Sequence, residues 1–252
     1  MTARLAQTLS SIVLVTMTVG CSSYYEIPIE TPIRPKLDVS AFQRVLVAGF
    51  ISGGSEDVDG NLETTRLLRS QLRTKSEMRV IDSDVLPLMD VATEGRAPNG
   101  AEASATLPVI KEDEDLEPYE HLFADVEYWK RIGEEYQQPL IVTGTVMFAP
   151  QARSGIVQRD QEVYDSFGRR RVVPVRTYME RKGFVLKPRF VFIDGRTGTV
   201  LHSENFREEV LYNANQTSPA LSSYFELMDR LIPSFLSTLS SQTIKGSRVL
   251  LQ

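Results

Sequence analysis

The chain has 252 residues, a formal net charge of −5, one cysteine and two histidines. The mildly acidic balance gives no basis for binding nucleic acid through overall charge, and a single cysteine excludes a disulfide within the chain. The length is enough for one or two domains of ordinary size with a real hydrophobic core.

Residues 1–20 are predicted to be a bacterial export signal. Arg4 supplies the basic start, and an apolar run from Leu9 to Val19 follows it. This run is too short and too rich in serine and threonine to predict a membrane span.

The segment Thr18-Val19-Gly20-Cys21 resembles the lipobox of bacterial lipoproteins, with Thr18 in place of the usual leucine. The resemblance implies cleavage before Cys21 and its modification by acyl chains such as palmitate. Ser22 stands where an inner-membrane retention signal would place aspartate, which favours the periplasmic face of the outer membrane. The alternative is a secretory signal with an incidental cysteine.

Residues 21–40 carry Pro28, Pro32 and Pro35 and are predicted to form an extended tether. Residues 41–252 are then predicted to form one α/β domain.

The predicted domain opens with a strand–helix–strand unit. Val45–Phe50 is a short apolar run typical of a buried strand, a helix follows over residues 61–75, and residues 78–81 form the next strand. The spacing predicts an inner helix stripe and an outer row of arginines. The inner residues are Leu62, Thr65, Leu68 and Leu72, and the outer ones are Arg66, Arg69 and Arg73.

The loop after the first strand contains Gly49, Gly53 and Gly54, but it has neither the lysine–serine/threonine ending nor the glycine spacing of a phosphate-binding loop. Residues 83–124 are predicted to be an irregular insertion. Its acidic run, residues 111–117, lacks the alternating ligands and the glycine of a calcium loop, so we interpret it as a solvated surface and predict no metal site.

Asp125 is predicted to cap a helix whose inner face carries Val126, Trp129, Gly133 and Tyr136. A β-branched, apolar strand over residues 140–148 follows.

Residues 151–183 are predicted to form a protruding basic β-ribbon with its turn near Phe167-Gly168-Arg169. Its charged residues interrupt both alternating faces, which argues against a membrane-spanning hairpin. Arg169, Arg170 and Arg171 lie at the predicted tip, where they suit carboxylates and phosphates. The alternative is that these charges only aid solubility.

The stretch from Phe184 to Val210 predicts a hairpin closed by Asp194-Gly195-Arg196-Thr197-Gly198, in which the two glycines allow positive φ angles. Ser218 and Pro219 are predicted to start the last helix, which Pro233 should kink or restart. Residues 247–251 are predicted to close the sheet as an edge strand.

No catalytic constellation is found. His121 and His202 are far apart in sequence, and we expect His202 to project to the opposite face of its strand from both Ser203 and Glu204. We therefore predict no catalytic residue and no cofactor.

Four stretches, residues 42–50, 78–82, 140–146 and 192–200, together resemble envelope lipoproteins related to the curli-secretion lipoprotein, the peptidoglycan-synthase activator lipoprotein and the N-terminal domain of the Tol periplasmic protein. The resemblance implies an α/β (α+β) fold in which helices flank a mixed β-sheet, built for binding rather than catalysis. The insertion and the ribbon depart from this pattern.

The sequence thus predicts a lipid-anchored, non-catalytic envelope lipoprotein that binds a protein or the cell wall. The anionic groups that the arginines of the ribbon could bind in the envelope are peptidoglycan carboxylates, lipid phosphates and acidic protein faces, and the sequence does not choose among them. The alternative is a periplasmic enzyme or small-ligand receptor whose site is assembled from scattered polar residues.

Overall fold

The computed structural model describes residues 24–94, 110–213, 216 and 218–251. They form two units, of which the larger spans Pro35–Ser240, whereas the smaller joins the chain up to Arg34 to the chain from Ser241. The predicted signal peptide, Cys21 and Ser22 lie outside the described residues.

The elements in chain order are β1 (Tyr24–Ile33), β2 (Arg44–Gly54), α1 (Gly60–Lys75), β3 (Arg79–Val80), α2 (Leu88–Glu94), a 3-10 helix (Asp113–Ala124), α3 (Val126–Glu135), β4 (Leu140–Tyr164), β5 (Arg170–Asp194), β6 (Val200–Asn205), β7 (Glu208–Asn213), α4 (Ala220–Leu239) and β8 (Gln242–Leu251).

The smaller unit is an antiparallel pair of β1 and β8, in register from Tyr24 opposite Leu251 to Ile33 opposite Gln242. This differs from two expectations: residues 24–33 are a paired strand rather than a free tether, and residues 247–251 pair with β1 rather than with the main sheet. Prolines fit such a strand when their nitrogen faces away from its partner, so Pro28 and Pro32 do not prevent the pairing.

The main sheet has the order β3-β2-β4-β5-β6, with β7 also paired to β5. β2 runs parallel to β3 and β4, whereas β5 is antiparallel to β4, β6 and β7. Helices cover both faces: α1 and α4 pack on one, and α2, the 3-10 helix and α3 pack on the other. The predicted mixed sheet flanked by helices is therefore confirmed.

The two strands predicted to be central, β2 and β4, are the most deeply buried part of the sheet. Residues 45–51 and 140–148 are all buried, and alternate side chains enter opposite cores: Val45 and Val47 face α1 and α4, while Leu46 and Ala48 face α2 and α3. A strand buried on both faces needs a continuous apolar run, which is the pattern that predicted these two strands.

The predicted turn after β5 is present and lies against α3. Gly198 has φ +75°, and its amide donates to the Asp194 carbonyl over 2.7 Å. Gly195 serves close approach rather than positive φ, because a Cβ there would lie 2.4 Å from the Pro139 carbonyl oxygen. A Cβ on Gly133 would lie 1.8 Å from the Gly195 carbonyl oxygen, so α3 can approach the turn only with glycine at that position.

The helix faces differ from the prediction at three residues. Leu62 and Val126, expected to face inward, are 39% and 43% exposed. Arg69, expected to face outward, is partly buried and donates to the carbonyl oxygens of Val47 (2.8 Å) and Ser83 (2.7 Å). Burial lowers the pKa of this guanidinium. Through its hydrogen bonds, the Arg69 side chain links α1 to the sheet.

The start of α4 also differs from the prediction. Pro219 occupies the N-cap position and no side chain caps the helix, so Ser218 is not its cap. The helix runs from Ala220 to Leu239 through Pro233 without a restart.

The predicted insertion is more ordered than expected, since α2 and the 3-10 helix fall within it; residues 95–109 lie outside the described residues. Its acidic run is not simply a solvated surface. Asp113 forms an ion pair with Lys187 of β5, Leu116 is buried, and Asp115 accepts the backbone amides of Lys111 (2.9 Å) and Glu112 (3.0 Å). These hydrogen bonds from the backbone amides outweigh the effect of desolvation and lower the pKa of Asp115.

Within the described part of the chain, no helix combines the length and the apolar character that crossing a membrane requires.

Truncation of the sheet core is expected to be costly. Phe192 is 1% exposed and Val142 is fully buried, so Phe192→Ala and Val142→Ala should each lower the free energy of unfolding by about 2–5 kcal/mol, measured by urea denaturation. Leu62→Ala is the control, because its side chain is already exposed. A loss below about 0.5 kcal/mol at either core position would contradict this description of the sheet.

Candidate partner-binding surface

The ribbon, residues 151–183, is the continuation of β4 and β5 beyond the body of the sheet. The two strands pair from Leu140 opposite Asp194 to Tyr164 opposite Arg170, whereas β2 accompanies β4 only to Phe148 and β7 accompanies β5 only from Arg181. In the outer ribbon, residues 154–180, each strand therefore pairs only with the other. At about 3.4 Å per residue this part is roughly 35 Å long.

Asp165 organises the tip of the ribbon. Its Oδ1 accepts the backbone amides of Phe167 and Arg169, both at 2.9 Å, and Gly168 has φ +72°. The pKa of Asp165 is lowered, chiefly by the hydrogen bond from the Arg169 amide. The hydrogen bonds from the Phe167 amide and the Arg169 side chain add to this effect, and together they outweigh the opposing effect of desolvation. The carboxylate therefore holds the turn in one shape.

The three arginines predicted at the tip are all exposed, but two of them are paired with acids. Arg169 Nε lies 3.0 Å from Asp165 Oδ2, and Arg170 Nη1 lies 3.0 Å from Glu162 Oε1. Among the described residues, no ion pair holds Arg171. The mutual repulsion expected of three adjacent guanidiniums is thus partly offset within the ribbon.

The arginines also do not form one patch. In the strand register Arg170 lies opposite Tyr164 and Arg171 lies opposite Val163. Because successive strand residues alternate faces, Arg170 and Arg171 are on opposite faces of the ribbon. Arg169 is in the turn, with its guanidinium carbon 5.5 Å from the centre of the Phe167 ring.

Large apolar side chains on the ribbon are the feature that the sequence prediction missed. The exposed fractions are 81% for Phe167, 72% for Ile156, and 67% for both Tyr164 and Tyr178. Val163, Val172 and Val173 are exposed as well. One feature of the sequence could have indicated their exposure: the ribbon has no helical segment close to it in the chain that could cover these side chains.

His202 is close to Glu204, which corrects the prediction that they face opposite sides. Residues two apart on a strand share a face, and His202 Nε2 lies 3.4 Å from Glu204 Oε2. The carboxylate also accepts from Thr238 Oγ1 (3.1 Å) and pairs with Lys36. Partial burial opposes ionisation of Glu204, but its hydrogen bonds to Lys36, Thr238 and His202 together lower its pKa.

This cluster ties the start of the larger unit to β6 and α4. Glu204 accepts hydrogen bonds from Lys36, Thr238 and His202, and the Thr238 hydroxyl donates to this carboxylate and to the Ser234 carbonyl oxygen rather than to His202. The arrangement therefore serves to hold the segments together.

His121 lines an open depression of about 600 Å³ together with Asp125, Glu127, Tyr128 and Arg131. Its Nδ1 is 2.8 Å from the Pro118 carbonyl oxygen, and Asp125 is occupied as the N-cap of α3, accepting the Tyr128 amide at 3.0 Å. Across the described residues, no group of three or more histidine, cysteine, aspartate or glutamate side chains is placed to hold a metal ion.

A smaller depression of about 260 Å³ lies between the 3-10 helix and β5. Four of its charged groups are joined in two ion pairs, Lys187 with Asp113 and Arg189 with Glu120, and the fifth, Arg207, pairs with Glu209. Neither of these two depressions is lined by both a histidine and a serine, threonine or cysteine. The ribbon is the candidate functional surface because of its exposed aromatic and basic side chains.

No protein-family model matches the chain, and no curated protein does. Lipoprotein GNA1162 from Neisseria meningitidis aligns over 77% of this chain and 97% of its own, at 11% identity and a TM-score of 0.36. A PelC variant from Paraburkholderia phytofirmans, a dodecamer, aligns over 85% and 98%, at 13% identity and a TM-score of 0.37. A homologue of the neuraminyllactose-binding hemagglutinin from Helicobacter pylori aligns over 81% and 86%, at 9% identity and a TM-score of 0.34. Similarity at this level carries no argument about this chain.

The structural interpretation of the Glu204 cluster leads to a pH-dependent prediction. Glu204→Gln should lower the free energy of unfolding at pH 7 by about 1 kcal/mol, because the amide cannot form the ion pair. A depressed pKa in the folded state contributes stability above the unfolded pKa, and this contribution is lost as the pH falls through the folded value. The difference between wild type and variant should therefore shrink below about pH 4.

Urea denaturation at a series of pH values measures this difference, with Glu117→Gln, an exposed carboxylate on the 3-10 helix, as the control. A difference for Glu204→Gln that stays constant with pH would contradict the ion-pair role.

Proposed function

We propose that this protein is a bacterial envelope lipoprotein, anchored through Cys21 at the periplasmic face of the outer membrane, and that it binds a protein partner through the ribbon. The anchor is supported by Thr18-Val19-Gly20-Cys21 behind an apolar export signal, and the outer-membrane location by Ser22. The role is one of binding rather than catalysis.

The observation that carries the binding role is the outer ribbon with its exposed aromatic side chains. A two-stranded hairpin is at best marginally stable alone in water, and Ile156, Tyr164, Phe167 and Tyr178 remain largely exposed on it. Tyrosine, phenylalanine and arginine are enriched in the buried centres of protein interfaces. This composition favours a protein over peptidoglycan, because the carboxylates of the cell wall would use the arginines alone.

Electrostatics favours a partner with an acidic face. Arg171 is exposed without an acidic partner among the described residues, and the ion pairs of Arg169 and Arg170 are exposed and therefore weak. Acids on a partner can replace Asp165 and Glu162 in these pairs at little cost. The charges then guide association, while the apolar side chains hold the complex together.

Replacement of the proposed lipid acceptor tests the anchor. Cys21→Ser should abolish labelling by radioactive palmitate and move the protein from the membrane fraction to the soluble periplasmic fraction, because no other cysteine can accept an acyl chain. Fractionation of labelled cells measures both effects. Unchanged membrane association would reject the anchor.

Charge reversal at the tip tests the binding surface. Replacing Arg169, Arg170 and Arg171 by glutamate should leave the melting temperature almost unchanged, because all three are exposed. It should also weaken capture of partners after crosslinking in intact envelopes, and the loss should be greatest at low salt. The matched control reverses three exposed basic residues off the ribbon, Arg66, Lys75 and Lys130, for the same change in net charge.

A second variant, Tyr164→Ser with Phe167→Ser, separates the apolar contribution and should weaken capture at all salt concentrations. Equal recovery of the same partners by wild type and both ribbon variants would show that the ribbon is not the binding surface. Loss of sedimentation with purified peptidoglycan, with protein capture intact, would assign the ribbon to the cell wall instead.

A further inference from the structure

The smaller unit, formed by β1 and β8, has its exposed isoleucines on one face. Directly opposed residues of an antiparallel pair share a face, and the register places Ile27, Ile29, Ile33 and Ile244 on the same side. The opposite side carries Glu26, Ser247 and the ion pair of Glu30 with Lys245, at 3.3 Å, as well as the exposed aliphatic side chain of Val249, which lies opposite Glu26.

The apolar face is open to its surroundings. The exposed fractions are 38% for Ile27 and Ile29, 45% for Ile33 and 56% for Ile244. A two-stranded sheet with an uncovered apolar face is marginal in water. Addition of a further strand along either edge would leave this face uncovered, so what it requires is a layer on top of it.

We propose that this layer is the lipid surface, and that the β1–β8 sheet lies flat on the membrane with its isoleucines in the headgroup and acyl boundary. This inference rests on the proposed acylation of Cys21. Tyr24 is only three positions after Cys21, a span of at most about 10 Å, so the acyl chains hold the start of β1 at the bilayer surface.

The length of the apolar face argues for a flat orientation. Ile27 and Ile33 are six residues apart, about 20 Å along the strand, and isoleucines continue over this whole distance. A sheet standing upright from the anchor would immerse only its first residues and leave Ile33 about 30 Å from the end of the strand nearest the lipid.

Arg248 fits the same orientation. It lies opposite Ile27 and therefore on the apolar face. An arginine at this level can keep its aliphatic stem among the isoleucines while its guanidinium binds lipid phosphates. The carboxylates of Glu26 and Glu30 are on the other face, away from those phosphates.

The test uses the mature, acylated chain in vesicles of phosphatidylethanolamine and phosphatidylglycerol. Because Cys21 is the only cysteine and is acylated, an introduced cysteine is the only free thiol for an environment-sensitive fluorophore. Ile29→Cys and Ile244→Cys place the label on the apolar face, and the matched control, Ser247→Cys, places it on the opposite face of the same sheet.

An apolar face at the interface is buried about 5–10 Å into the headgroup and acyl boundary. Labels at Ile29 and Ile244 should therefore shift to shorter emission wavelengths and be quenched several-fold more by lipids brominated in their acyl chains than the label at Ser247. Equal quenching at all three positions would overturn the proposal.

A wavelength shift at Ile29 and Ile244 without lipid quenching would also overturn it, because a second copy or another protein would then cover the face. Flotation of the three labelled chains with the vesicles keeps the two proposals apart. Failure to float rejects the Cys21 anchor, whereas flotation without selective quenching rejects only the flat sheet.

Discussion

The pairing of β4 with β5 is the interaction on which the rest of the larger unit depends. Over its first half this pair is the centre of the sheet, with residues 140–148 buried between two layers of helices. Over its second half the same ladder runs into solvent as the ribbon. Burial fixes the register of the inner half, and because the strands are continuous, that register also decides which ribbon residues share a face. The core therefore sets the geometry of the proposed binding surface.

The parts of the fold that could be predicted were those with a local signal. Leu140–Phe148 is apolar or β-branched at every position except Gly144, and Asp194–Gly198 has the residues of a tight turn, so the sequence predicts both. The pairing of β1 with β8 joins residues more than 200 positions apart in the chain, from Tyr24 to Leu251, and no local pattern reports such a contact. Exposure of Leu62 and burial of Arg69 likewise depend on which segment lies over each residue, which is a tertiary property.

The candidate surface could be predicted only in part. Arg169, Arg170 and Arg171 were found at an exposed tip because a glycine turn lies beside them, but their pairing with Asp165 and Glu162 requires the actual register. The aromatic residues were overlooked since Tyr164 and Tyr178 look like ordinary strand residues until the absence of a covering layer is known. The prediction of opposite faces for His202 and Glu204 is wrong, because residues two apart on a strand share a face and these two side chains meet.

The β1–β8 pair also has a consequence for the order in which the protein is completed. A chain that is made from its N-terminus produces β1 long before β8, and the whole larger unit lies between them. Closing so long a loop is entropically unfavourable until that unit has become compact. The β1–β8 sheet is thus the last of the described elements to assemble, and its formation reports that the larger unit between its two strands has been synthesised and has become compact.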